Sequence, residues 1–138
     1  MTKIKTIIFL LFLGFGFPQL HAQTFKFSTS GFSVLEKGQN GKWGKWSDLD
    51  LVNMMVTLDT NKNRIVVYSQ AIQVFEIIDY QPVEENETDL VYTFTCKDNN
   101  GEDCTLSIIK RKLQDNRKQL YINYGDRIIL YNIFNFKA

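Results

Sequence analysis

From residue 24 onward apolar and polar residues alternate in short runs, divided about every ten residues by clusters of Asn, Asp and Gly. Runs of this kind, rich in Val, Ile, Tyr, Phe and Thr, mark half-buried strands, and no window keeps a sustained helical period. The pattern predicts strands over 24–28, 32–36, 51–58, 64–69, 72–80, 89–97, 103–112, 117–124 and 127–135. Connections are short, so consecutive strands should pair antiparallel in a meander. Eight or nine such strands should close as a small all-β barrel, because an open meander leaves two bare edges; a β-sandwich is the alternative.

Turn residues then set registers. Asp98-Asn99-Asn100-Gly101 has the residues of a type I turn with Gly101 at the left-handed bulge position, which sets Asp98 against Glu102 and Cys96 directly against Cys104. A loop of Gln114-Asp115-Asn116 would pair Lys112 with Lys118, Ile108 with Ile122 and Leu106 with Tyr124. Gly125-Asp126 suits a II′ turn that pairs Tyr124 with Arg127, Ile122 with Ile129 and Leu120 with Tyr131. Thr60 to Asn63 pairs Asp59 with Arg64. One face then collects Leu90, Tyr92, Phe94, Cys96, Cys104, Leu106, Ile108, Leu120, Ile122, Tyr124, Ile129 and Tyr131, joined by Val52, Met54, Val56, Leu58, Ile65 and Val67. In IQVFEII, residues 72–78, Phe75 and Ile77 should point inward, since the opposite choice buries the Glu76 carboxylate.

The opposed cysteines predict a Cys96–Cys104 disulfide, given export to an oxidising compartment. A calcium loop starting at Cys96 would end at Ser107 and put non-ligands where carboxylates are required. A redox pair needs two intervening residues rather than seven, and zinc needs ligands the chain lacks.

Export itself is read from residues 1–22: a start with Lys3 and Lys5, the apolar run IIFLLFLGFGF, then Pro18 and Ala22 before Gln23. That is the secretory pattern, and the run is too short for a comfortable span, so no stable membrane insertion is expected. Cleavage would leave 138 − 22 = 116 residues, one antiparallel β domain over 23–138, with formal charge (16 − 2) − 15 = −1. Nothing in that balance invites nucleic acid. His21, the single histidine, leaves with the leader, which removes Ser-His-Asp and Cys-His nucleophile systems and histidine metal ligation. No catalytic constellation emerges, so a non-enzymatic protein without metal or cofactor is expected.

Three features remain as candidates for function. GKWGKWSD, residues 41–48, sets Trp43 and Trp46 among Gly and Lys. The pair either plugs one end of the barrel or forms a platform for a flat or sugar-like ligand, with Lys42, Lys45 and Asp48 as polar partners. On the outer face, Ile109, Tyr121 and Leu130 should form a row that is either a partner surface, a patch covered by residues 25–36, or scattered surface hydrophobicity. The hairpin KRKLQDNRK, residues 110–118, is basic and the loop EENETD, residues 84–89, is acidic; the hairpin tip either grips phosphate or an acidic polymer or is a solvated, edge-protecting charge cluster, and the two loops could attract one another or a second molecule.

The succession KWGKWSDLD, DTNKNRIVVYS, QVFEI, Cys-hairpin-Cys and LYINY…IILYN resembles small exported β-sheet proteins of the Bacteroidota, a resemblance that implies a periplasmic or surface location and no particular chemistry. The early Trp43 and the hairpin meander are loosely similar to lipocalin-like barrels. The expectation is an exported interaction module acting on a protein partner, with a binder of a small apolar or sugar-like ligand at the Trp43/Trp46 end as the alternative.

Overall fold

The computed structural model describes residues 24–136; the expected leader, residues 1–22, and His21 within it lie outside the described residues. Ten strands follow in order: β1 Thr24–Glu36, β2 Asp50–Leu51, β3 Met55–Asp59, β4 Arg64–Val67, β5 Gln73–Tyr80, β6 Glu84–Glu85, β7 Asp89–Lys97, β8 Asp103–Arg111, β9 Arg117–Asn123 and β10 Arg127–Asn135. Hydrogen bonding runs β10-β9-β8-β7-β5-β4-β3-β1, and β10 returns to pair with β1. Eight strands therefore close as an antiparallel meander barrel. The two-residue strands β2 and β6 attach to β1 and β7.

Three of the four hairpin registers follow the turn chemistry. Gly101 takes φ +80 and the Asp98 N–H donates to the Glu102 carbonyl, so Cys96 faces Cys104 and Lys97 faces Asp103. Gly125 takes φ +94 and Ile122 faces Ile129. Asp59 faces Arg64, with Asn63 at φ 54 closing the loop. The β8–β9 hairpin differs by two residues. Arg111 faces Arg117, so Ile108 meets Leu120 and Leu106 meets Ile122, instead of Ile108 with Ile122 and Leu106 with Tyr124. Asp115 and Asn116 both take positive φ, which lengthens the loop to Lys112 through Asn116. Side chains alternate with period two, so a slip of two leaves every residue on its predicted face.

That face is the core. Phe75, Phe94, Leu58, Ile65, Leu106, Leu120 and Ile122 are wholly enclosed, and Tyr80 meets Phe94 edge-on at 5.7 Å between ring centroids. Each such side chain contributes about 1.5–3 kcal/mol through removal from water. Glu76 is exposed while Phe75 and Ile77 are buried, as the cost of an enclosed carboxylate requires. An eight-stranded barrel is just wide enough for side chains to fill, and here large buried residues line it from every strand of the cylinder.

Three expectations are corrected. Residues 24–36 form one strand rather than two, bent by a bulge between Thr29 and Gly31 that lets its first half pair with β3 and its second half with β2. The strand expected over 51–58 is interrupted at 52–54. The disulfide is absent: Cys96 and Cys104 are buried free thiols. Asp98 and Glu102 are a hydrogen-bonded pair, and alternation makes 96/104 another, the arrangement that holds opposed side chains further apart. The Cys96 thiol instead points to the Phe94 carbonyl at 3.7 Å.

Candidate interaction surface

Strand β3 covers only the first half of β1, which leaves the backbone of residues 31–36 in need of partners on that side. The connection from 37 to 54 supplies them. Gly41 at φ +76 turns the chain, the Gly38 N–H donates to the Lys42 carbonyl at 2.8 Å, and Lys37 bridges to Trp43. The chain then returns along β1. The Gly44 N–H donates to the Glu36 carbonyl (2.9 Å), the Ser47 N–H to the Val34 carbonyl (2.8 Å), and the Val34 N–H to Ser47 Oγ (2.8 Å). Ser33 Oγ donates to the Ser47 carbonyl. Lower down, Thr29 Oγ1 donates to the Val52 carbonyl and accepts from the Met54 N–H, both at 2.9 Å. Between these anchors, β2 passes so close to β1 that a Cβ on Gly31 would lie 3.1 Å from the Asp50 carbonyl oxygen and from Leu49 carbons. Only a glycine fits there without displacement.

This return segment carries the two indoles to the outside of the barrel. Trp46 meets Tyr121 at 6.4 Å in an edge-on contact, and Tyr121 projects from the outer face of β9 beside Leu130 of β10 and, beyond it, Ser33 of β1. The Lys37 ammonium lies 4.9 Å from the centre of the Trp43 ring. Trp46 therefore lies on the outer wall and does not plug the barrel end. The reason is local: the free edge of β1 captures the backbone around Ser47 before the chain can cross the barrel mouth.

Tyr121 also belongs to a polar array. Arg111 donates from Nε to Gln119 Oε1 (3.0 Å), from Nη2 to Tyr121 Oη (3.1 Å) and from Nη1 to Asp89 Oδ1 (3.1 Å). Gln119 Nε2 donates to Asn132 Oδ1 at 3.1 Å. Gln119 points outward yet is 4 % exposed, because these neighbours close over it. The array stiffens the wall on which Trp46 rests.

The structure thus brings together two groups that the sequence held apart, Trp46 and the pair Tyr121–Leu130. It does not bring Ile109 into line with them: the two-residue slip sets Ile109 against Gln119 and Ser107 against Tyr121. Residues 25–36 do not cover the row, since they form the barrel wall itself. Lys42, Lys45, Asp48 and Asp50 are exposed on the return segment, and among the described residues none of them enters an ion pair. The basic hairpin and acidic loop do attract each other, through Lys112 to Glu85 and Arg111 to Asp89. Sequence reasoning missed Leu49 and Leu51, which follow the indoles on the same segment. Their signal is the alternation in WSDLDL, where an inward Val52 leaves Leu51 and Leu49 on the outer side.

Among the described residues no group of three His, Cys, Asp or Glu side chains is placed to hold a metal ion, and no helix is long and apolar enough to cross a membrane. Comparison with protein-family models, with curated proteins and with solved structures yields no match.

Proposed function

We propose that this chain is an exported, non-catalytic interaction module that binds a protein partner through the outer side of the return segment 43–51. The observation that carries the reading is the exposure of four large apolar side chains on one short segment: Trp43 at 42 %, Trp46 at 43 %, Leu49 at 54 % and Leu51 at 88 %. Scattered surface hydrophobics are ordinary, but a run of them anchored by backbone and side-chain hydrogen bonds marks a contact surface. Aromatic anchors that are already rigid lose little conformational entropy on binding. The large aromatic and aliphatic side chains that line the interior from every strand favour a surface role over a ligand held within the barrel. A sugar platform on Trp43 is disfavoured because the Lys37 ammonium sits against the indole.

Native mass spectrometry of the protein recovered from its host's envelope tests the proposal. A complex of higher mass that disappears on Trp43→Ser or Leu51→Ser is the expected result. A small-molecule adduct that survives both substitutions, with no complex, would refute it in favour of the ligand binder.

A further inference from the structure

The return segment has an order of charges that singles out one kind of partner. Reading from its turn, Lys42 and Lys45 come first, Trp46 and Ser47 occupy the centre, and Asp48 and Asp50 follow. All four charges are exposed and none has an ion-pair partner within the described residues. The segment is therefore cationic in one half and anionic in the other, with Trp43, Trp46, Leu49 and Leu51 spread across both. A surface of this kind is complementary to itself when turned through a half-rotation.

Its backbone is open on the required side. In the sheet order β2 stands at the end of the path and pairs only with β1, so its other side is a sheet edge. Edges guarded against association carry charges that repel a second copy. Here segregated halves of opposite sign do the reverse. Antiparallel approach of two such edges brings the half that carries Lys42 and Lys45 alongside the half that carries Asp48 and Asp50, whereas parallel approach stacks like on like. Two-fold contacts in homodimers have this property, in that residue i meets j while j meets i.

We infer that the partner of the return segment is a second copy of this chain, docked antiparallel across a two-fold axis with the lysine half of each segment against the aspartate half of the other. This rests on the reading of segment 43–51 as the interaction surface and names its occupant. The contact buries Leu51 and Leu49 from both copies and extends the two sheets edge to edge.

The test is a charge exchange. The full chain is expressed in an exporting host, recovered as the cell processes it, and followed by sedimentation velocity over a concentration series. A concentration-dependent dimer is expected. Lys45→Glu should weaken it about tenfold, because in a two-fold contact one substitution counts twice and each turns attraction into repulsion. Asp48→Lys should weaken it similarly, and the double variant Lys45→Glu with Asp48→Lys should regain the wild-type dissociation constant. Circular dichroism that matches wild type keeps misfolding apart from loss of contact. A monomer at every concentration that still forms a hetero-complex sensitive to Trp43→Ser would overturn self-pairing and leave the interaction surface standing. A dimer indifferent to the charge reversals and to Leu51→Ser would place the self-contact elsewhere and overturn the pairing proposed here.

Discussion

Replacing Gly31 by Ala perturbs the return segment at a single methyl. The added carbon would lie 3.1 Å from the Asp50 carbonyl oxygen and 3.1 Å from both Cγ and Cδ1 of Leu49. Carbon contacts are most favourable near 3.5–4.0 Å, so segment 49–51 must retreat by roughly half an ångström. Gly31 does not take a positive φ, so alanine is conformationally acceptable and reduces the entropy of the unfolded chain by the equivalent of about 0.4–1 kcal/mol. Against that stands an overpacking cost of about 1–3 kcal/mol. The cheapest response is local, because β2 holds β1 through only two residue pairs while the barrel wall holds through many. Hydrogen exchange should therefore accelerate at the amides of Ser47, Val52 and Met54, whose acceptors are the Val34 carbonyl, the Ser30 carbonyl and Thr29 Oγ1. Amides of Leu106 and Ile122 should keep their protection, and Trp46 emission should shift to the red. Unchanged exchange along 47–54 would show that the close approach at Gly31 does not position the segment.

Burial pushes the Cys96 and Cys104 thiols up to about 12, so a maleimide or disulfide reagent at about pH 8 should label neither in the native protein and both after unfolding; rapid native labelling would contradict the enclosed pair. Tyr80 is likewise pushed up to about 12, by burial and then by Cys96. Folded-state values above the unfolded ones mean that this stability is intact below about pH 9 and lost as pH rises towards 12. The urea midpoint should be lower at about pH 10.5 than at about pH 8, and equal midpoints would remove the basis for the claim. Gln119→Ala leaves Arg111 Nε and Asn132 without their partner and should cost about 1–3 kcal/mol in urea unfolding, with Trp46 emission altered; a neutral result would mean that water replaces the amide at no cost.

Those elements whose turns contain a left-handed glycine were legible before any coordinates. Gly101 and Gly125 set β7 against β8 and β9 against β10, and with them the inward face from Leu90 to Tyr131. The β8–β9 hairpin was legible in face but not in register, because Asp115 and Asn116 adopt positive φ without a glycine to announce it. The cysteines were legible as neighbours. Their failure to bond depends on which pairs in the ladder carry hydrogen bonds, a property of loop geometry rather than of residue identity. The site was half legible. Trp43, Trp46, Tyr121 and Leu130 were each singled out, yet the contact of Trp46 with Tyr121 follows from the shortness of β3, which leaves the upper edge of β1 to be filled. No local pattern in residues 37–54 states how much of β1 the following strand β3 will leave unpaired. Ser33 and Ser47, small and polar at the point of crossing, were the available hint.

The seam between β1 and β10 joins Phe27 to Asn135, positions at opposite ends of the described chain. The ribosome delivers β10 after every other strand, so the cylinder cannot seal until that strand has been made. Until then the apolar lining of the other seven strands stays uncovered along that seam, so loss of β10 alone would leave the whole barrel open.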